Sequence, residues 1–154
     1  MTLNDDIDRI MAVMQAAFAP EYGEAWTRTQ VEDALLIGNC HYRLLSPDGI
    51  EPAEGEPSAG FSLSRQGFEE EELLLLGVAP DYRRRGIGHK LLKGLKEDAK
   101  NRGAKRLLLE MRRGNPAEFL YRGQGFEQIG ERMNYYRTPS GNRLDAITFC
   151  KVIT

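Results

Sequence analysis

Six residues, Arg83-Arg84-Arg85-Gly86-Ile87-Gly88, stand between an apolar run, Leu73 to Val78, and a periodic segment carrying Leu91, Leu92 and Leu95. That order predicts a strand, a tight turn and a helix. No residue of the turn offers a side chain to cap the helix, so its first amides are left for a ligand, and the helix dipole adds partial positive charge there. Three arginines add full charges. Such a place suits an anion, a phosphate or pyrophosphate above all. A Gly-x-Gly alone would mark only a strand-to-helix connection. The arginines, the buried strand before the turn and the missing cap set the anion reading beside that plain one.

The second chemical candidate is Glu110, in the run Arg106 to Met111 (RLLLEM). A carboxylate among Leu107, Leu108, Leu109 and Met111 loses hydration unless it has a task or a partner, and Arg112 and Arg113 are the partners nearest in sequence. Asn115 reads as a helix cap, with Pro116 at the first helical position and Glu118 three residues after the cap. Tyr121 reads as a core aromatic of that short helix. Other chemistry has little to draw on. Cys40 and Cys150 are far apart and in no metal-type spacing, so neither a disulfide framework nor a metal site is expected. His41 and His89 are the only histidines. Cys40 and His41 are neighbours on an expected strand, where their side chains point to opposite faces.

The 154 residues predict one domain over residues 1–154, and a net charge of −2 argues against a nucleic-acid partner. Positive charge is local, in residues 83–85, 96–106 and 112–113, which fits a small anion better than a polyanion. Acid gathers at Glu51–Glu56 and Glu69–Glu72. No apolar run approaches the ~18 residues of a membrane span, and the Asn- and Asp-rich start is not that of a signal peptide, so a cytoplasmic protein without a membrane partner is expected.

The elements follow from periodicity and punctuation. Asn4 is the expected cap of a first helix carrying Ile7, Ile10, Met11, Met14 and Phe18 on one face. Pro20 and Gly23 end it and open a loop to Trp26. Thr27 and Gln30 form a capping box for a second helix that reaches about Leu36 and closes at Gly38. His41–Leu45 and Ser58–Arg65 read as strands, separated by a surface loop, Ser46–Pro57, that buries nothing. Leu73–Val78 reads as a strand buried on both faces. A helix runs from Gly86-Ile87 to about Arg102, with Gly103 as its end signal. After the strand Arg106–Met111, a short helix follows Asn115 and ends at Gly123 or Gly125. Phe126–Arg137 and Leu144–Ile153 form a hairpin through Thr138–Asn142. The order predicts a mixed α/β domain with helices on both faces of the sheet.

Arg83-Arg84-Arg85-Gly86-Ile87-Gly88 matches the Gln/Arg-x-x-Gly-x-Gly/Ala motif of the GCN5-related N-acetyltransferases, and Val78-Ala79-Pro80-Asp81-Tyr82 resembles the strand end before it. Leu109-Glu110-Met111-Arg112, Asn115, Leu120-Tyr121 and Gly125-Phe126 are similar to the family's next strand and helix. Arg132-Met133-Asn134-Tyr135-Tyr136, with Gly141 and Asp145-Ala146, resembles the RimI-type branch, which acetylates the N-terminal amine of ribosomal protein S18. The resemblance runs from about Leu73 to Phe149, with a looser Trp26-Thr27 step before it.

The resemblance implies a GNAT-like acyl-CoA N-acyltransferase fold with a mixed, mostly antiparallel central sheet. It implies acetyl-CoA as co-substrate, no metal, and a protein N-terminal amine, possibly that of S18, as acceptor. By position, the backbone of Arg83, Arg84, Arg85, Gly86, Ile87, Gly88 and His89 would hold the CoA pyrophosphate. Leu76, Gly77 and Val78 would line the pantetheine arm, and Asn115 would contact CoA. Glu110 would be the general base and Tyr121 the acid that protonates the leaving thiolate. Glu24, Trp26, Tyr135 and Tyr136 would wall the acceptor slot. The Asn115–Tyr121 interval is one residue shorter than in the RimI pattern, about 100° of helix, so the two cannot both sit as in that branch. A small-molecule amine such as an amino acid, polyamine or antibiotic is the alternative acceptor, and a non-catalytic CoA-binding module is the alternative of another class.

Overall fold

The computed structural model describes residues 2–153. Thr2, not Asn4, caps α1 (Leu3–Ala17): its hydroxyl accepts the Asp5 N–H at 3.2 Å and the Asp5 carboxylate accepts the Thr2 N–H at 3.1 Å. This reciprocal box satisfies two amides where an asparagine cap would satisfy one, and the helix starts earlier than expected. The Thr27–Gln30 box of α2 (Arg28–Ile37) forms as its spacing predicts, and Gly38 ends that helix in the left-handed region. Both helices pack on one face of β1 (Cys40–Leu45), β2 (Gly60–Gln66) and β3 (Glu70–Val78), where Ile7, Ile10, Met14 and Val31 meet Leu44, Phe61, Leu63 and Leu75.

The opposite face is covered by α3 (Ile87–Asn101) and α4 (Glu118–Gly123), packed on β4 (Arg106–Arg112) and β6 (Arg143–Val152) through Leu92, Leu95, Leu107, Leu109, Tyr121 and Phe149. β5 (Glu127–Arg137) is the outer strand of the predicted hairpin. The strand order is β1-β2-β3-β4-β6-β5, and β3/β4 is the parallel pair in an otherwise antiparallel sheet. A parallel pair needs a crossover, and α3 supplies it.

Three local expectations change. The loop Ser46–Pro57 buries Ser46 and Pro52, because the Arg9 guanidinium, 9% exposed, donates to the Glu56 and Ala53 carbonyls. β3 begins at Glu70, not Leu73, so three glutamates of the Glu69–Glu72 cluster are strand residues and Glu71 is fully buried. Regular α4 begins at Glu118; Asn115 caps the turn before it, accepting the Ala117 N–H at 2.9 Å.

β3 also carries a bulge. Leu63 pairs with Leu75 but Ser64 pairs with Leu73, which leaves Leu74 as an extra residue. A bulge shifts the side-chain alternation by one. Glu71 and Leu73 therefore lie beneath α3, Leu75 and Gly77 beneath α1, and Leu76 and Val78 again toward α3.

Candidate active site

Pairing between β3 and β4 runs from Glu70↔Arg106 to Leu73↔Leu109 and stops at the bulge. β3 continues to Val78 and β4 to Arg112 without pairing further, so the two parallel strands part. The Ala79 N–H donates to the Ala59 carbonyl on the β2 side, at 2.8 Å. By alternation Gly77 also points its backbone to β2, while Leu76 and Val78 point theirs into the gap. That exposed backbone edge could accept an extended chain as an additional strand.

The turn before α3 closes one end of the gap. Arg84 and Gly86 are left-handed, with φ of +65° and +80°. Gly86 is the N-cap and no side chain bonds the first turn, as its sequence predicts. The first main-chain bond of the helix is Lys90 N–H to the Gly86 carbonyl, 3.0 Å, so the amides of Ile87, Gly88 and His89 have no intrahelical acceptor. Gly88 is small for a different reason: a Cβ there would come within 2.9 Å of Leu120, so its absence lets α4 pack against this first turn. The three arginines divide. Arg84 and Arg85 are exposed, and Arg85 lies 5.4 Å over the Tyr82 ring. Arg83 instead turns back, donating to the Val78 and Ala17 carbonyls, and serves to fasten β3 to the end of α1. Free amides and two exposed guanidiniums fit a pyrophosphate. Reversing the charge of Arg84 and Arg85 should raise the Kd for CoA by about tenfold at low salt. The effect should shrink as salt rises, as a titration at two ionic strengths would show.

Glu110 does not lie among leucines. Strand alternation sends Leu107, Leu109 and Met111 to the α3 face, while Glu110 shares the other face with Leu108 and Arg112. Its side chain is 21% exposed. Neither expected partner takes it: Thr148 Oγ1 donates to Glu110 Oε2 at 3.3 Å, and Arg132 Nε lies 3.4 Å from the same oxygen. Oε1 is left for another group. Tyr121 is buried against Phe126, ring centres 5.9 Å apart, yet its hydroxyl has no partner among the described residues. No buried side-chain oxygen or nitrogen there is left unpaired, so that hydroxyl is accessible to solvent. Burial, then the Glu24 carboxylate, pushes its pKa well above the usual phenol value.

The acceptor-side residues divide too. Glu24 accepts from Arg112 Nε at 3.0 Å, and the Arg112 guanidinium lies 3.5 Å over the Tyr22 ring. Tyr136 is half-buried; burial, then Glu110 and Glu24, pushes its hydroxyl up to about 12. Tyr135 is exposed and packs edge-on against Tyr136. Trp26 instead packs on the α1 core, with its backbone N–H 3.0 Å from Met14 Sδ. Burial raises the Cys40 thiol, which makes it a poorer nucleophile.

Raised tyrosines carry a stability consequence. Tyr42, Tyr121 and Tyr136 all hold their protons above the ordinary pKa near 10. The unfolded chain releases them first, so stability present below pH 10 should fall as pH rises from 10 to 12. Thermal melts across that range should show a declining Tm, and Phe at the three positions should flatten the decline.

The model of the acetyltransferase (GNAT) family matches residues 10–126. The chain belongs to that family. A ribosomal protein bS18-alanine N-acetyltransferase of Haemophilus influenzae is 36% identical over 94 residues, 61% of this chain. The chain spans 64% of the length of that relative. A crystal structure of the ribosomal-protein-S18-alanine N-acetyltransferase from Escherichia coli has a TM-score of 0.81 and 28% identity, covering 100% of this chain and 91% of that one. Arabidopsis thaliana NAA60, solved in complex with acetyl-CoA, shares the fold with a TM-score of 0.77 at 17% identity, covering 97% and 94%.

Within this GNAT fold, the sequence reading overlooked Thr148 and Tyr22 as members of the site, while Arg112, expected to pair with Glu110, shares its face but holds Glu24 instead. Thr148 could not be read from the sequence, because its place beside Glu110 depends on the β4/β6 register. Among the described residues no helix is long and apolar enough to cross a membrane, and no group of three or more His, Cys, Asp or Glu could hold a metal ion.

Proposed function

We propose that this GNAT protein, acting as a single domain in the cytoplasm, transfers an acetyl group from acetyl-CoA directly to a protein N-terminal amine, with the bS18 N-terminus as the first candidate. The observation that carries the reading is the gap between β3 and β4, with the free amides of α3 at one end and Glu110 and Tyr121 beside it. The turn residues Arg84–His89 hold the pyrophosphate, and Leu76 and Val78 bond the pantetheine amides along the free edge of β3. Gly77 lies between them, where a Cβ would come within 2.9 Å of Phe61, so it is small for packing. Asn115 retains its amide nitrogen for CoA, since its oxygen is engaged by Ala117.

An amine at neutral pH arrives as ammonium and must lose a proton before it attacks. Glu110 Oε1 takes that proton, directly or through one water. The nitrogen bonds to the carbonyl carbon, the C–S bond breaks, and the Tyr121 hydroxyl protonates the departing thiolate. Its raised pKa keeps Tyr121 protonated across the working range. Glu24 and Tyr136 orient the acceptor, and Tyr135 flanks the entrance. No enzyme-bound acyl group is needed.

Tyr121→Phe tests the acid. Turnover in a thiol-release assay should fall by about 10²-fold with acetyl-CoA affinity unchanged, because the ring stays in place and only the proton donor is lost. A wild-type rate would return Tyr121 to a packing role. The same assay against a panel of bS18-like peptides and small amines decides the acceptor class.

A further inference from the structure

Glu110 carries a resident cation that the reaction does not require. β4, β6 and β5 place two cross-strand rows of side chains on the face opposite α3 and α4. One row is Arg112–Ala146–Arg132, and its neighbour is Glu110–Thr148–Gly130. Ala146 is small and fully buried, so the arginines on either side can reach over it. They go in different directions. Arg112 is 11% exposed and is fixed between Glu24 and the Tyr22 ring. Arg132 is 60% exposed and rests on Glu110 Oε2 through Nε alone, with its guanidinium 4.8 Å over the Tyr135 ring. Opposite Thr148 stands Gly130, which has no side chain to hold Arg132 in place. The local chain is already irregular: Met133, Asn134 and Tyr135 bulge against Asp145, and Asn134 is left-handed with φ +53°. Each carboxylate at the site thus has one arginine, one anchored and one loose.

We propose that Arg132 is a displaceable counter-cation of Glu110, which the acceptor's ammonium group replaces on binding, so that Arg132 sets the affinity of the site for amines. The inference rests on the reading of the β3/β4 gap as the transfer site. When the ammonium arrives, two cations compete for one carboxylate, and Arg132 withdraws toward Tyr135 and solvent. The other charged or titratable groups about Glu110 are Arg112 on β4, Glu24 in the α1–α2 loop, Tyr136 on β5 and Tyr121 on α4. None of these four is both cationic and free to move. Loss of Arg132 therefore removes competition for the ammonium.

Arg132→Met, which keeps a stem over Tyr135, should tighten binding of a bS18-like N-terminal peptide about two- to fivefold by calorimetry, the range of a partly exposed ion pair. KM should fall while kcat stays within about twofold. Arg132→Lys should restore wild-type values. The same peptide with its amine blocked by acetylation should gain nothing, and in a Glu110→Gln background Arg132→Met should no longer tighten binding. Unchanged or weaker peptide binding in Arg132→Met, or an equal gain for the blocked peptide, overturns the proposal. Binding and turnover separate it from the reading beneath it. Normal turnover in Glu110→Gln removes the base, while the paired peptide affinities still decide whether Arg132 competes at Glu110.

Discussion

Glu110→Gln should lower kcat by about 10²- to 10⁴-fold, the range of a lost general base, while acetyl-CoA affinity stays within about twofold. The substitution is nearly isosteric. The amide oxygen can still accept from Thr148 Oγ1, which lies 3.3 Å from Glu110 Oε2, so the strand and its neighbour have no cause to move. What disappears is the carboxylate that would take the proton from the acceptor's ammonium. A lowered kcat with unchanged acetyl-CoA affinity separates this from a packing effect, which would disturb both. The proposed donor site should be indifferent, because it uses backbone amides at the start of α3 and the unpaired edge of β3, not this carboxylate. Stability should change little as well: Glu110 is 21% exposed and Arg132 is more exposed still, and such pairs contribute at most about 1 kcal/mol. Turnover within twofold of wild type would assign Glu110 to the sheet and leave proton removal to water.

The parts legible in the sequence are those decided within a few residues. The turn at Arg83–Gly88 declares itself because glycine spacing, missing caps and a following apolar period all lie within one stretch, and the structure places free amides there. The Thr27 capping box is local in the same sense. The hairpin of β5 and β6 announces itself through two strand-like runs about a polar turn. The gap between β3 and β4 was not readable in this way. It opens where Leu74 bulges, and a bulge is a property of two paired strands, not of either alone. Arg132 reaches Glu110 only because β6 lies between their strands and presents Ala146 there, a relation spanning the hairpin and the β4/β6 register. Arg83 misled for a related reason: its charge suggested an anion, but its nearest acceptors are carbonyls of Val78 and Ala17, the latter 66 residues away.

Glu71→Ala should cost about 3 kcal/mol of stability, and its cause is the feature least visible in the sequence. Four consecutive glutamates, Glu69–Glu72, follow Phe68, itself 89% exposed, and nothing in their order marks one of them for burial. Strand alternation divides them. Glu70 and Glu72 pair at the surface with Arg106 and Arg65, while Glu71 turns beneath α3 and is completely buried. There its carboxylate accepts from Arg102 Nε at 2.9 Å, Arg102 Nη2 at 2.5 Å and the Ser64 hydroxyl at 2.5 Å. The clamp joins the end of α3 to β3 within the last stretch paired to β4, at Glu71↔Leu107, just before the strands part. Removing the carboxylate leaves a guanidinium and a hydroxyl facing each other without an acceptor, which costs about 3–5 kcal/mol for a buried pair. The lower end applies because Arg102 is 24% exposed and can recover some hydration. A Tm decrease of about 6–12 °C should follow in calorimetry. Glu72→Ala, one residue along, should stay within about 1 kcal/mol. The double variant Glu71→Leu with Arg102→Leu should recover most of the loss, since replacing both partners leaves no charge unpaired. If Glu71→Ala and Glu72→Ala lowered Tm equally, the buried clamp would not be what joins α3 to the sheet. If the double variant were as unstable as Glu71→Ala, lost packing rather than a stranded charge would be the cause.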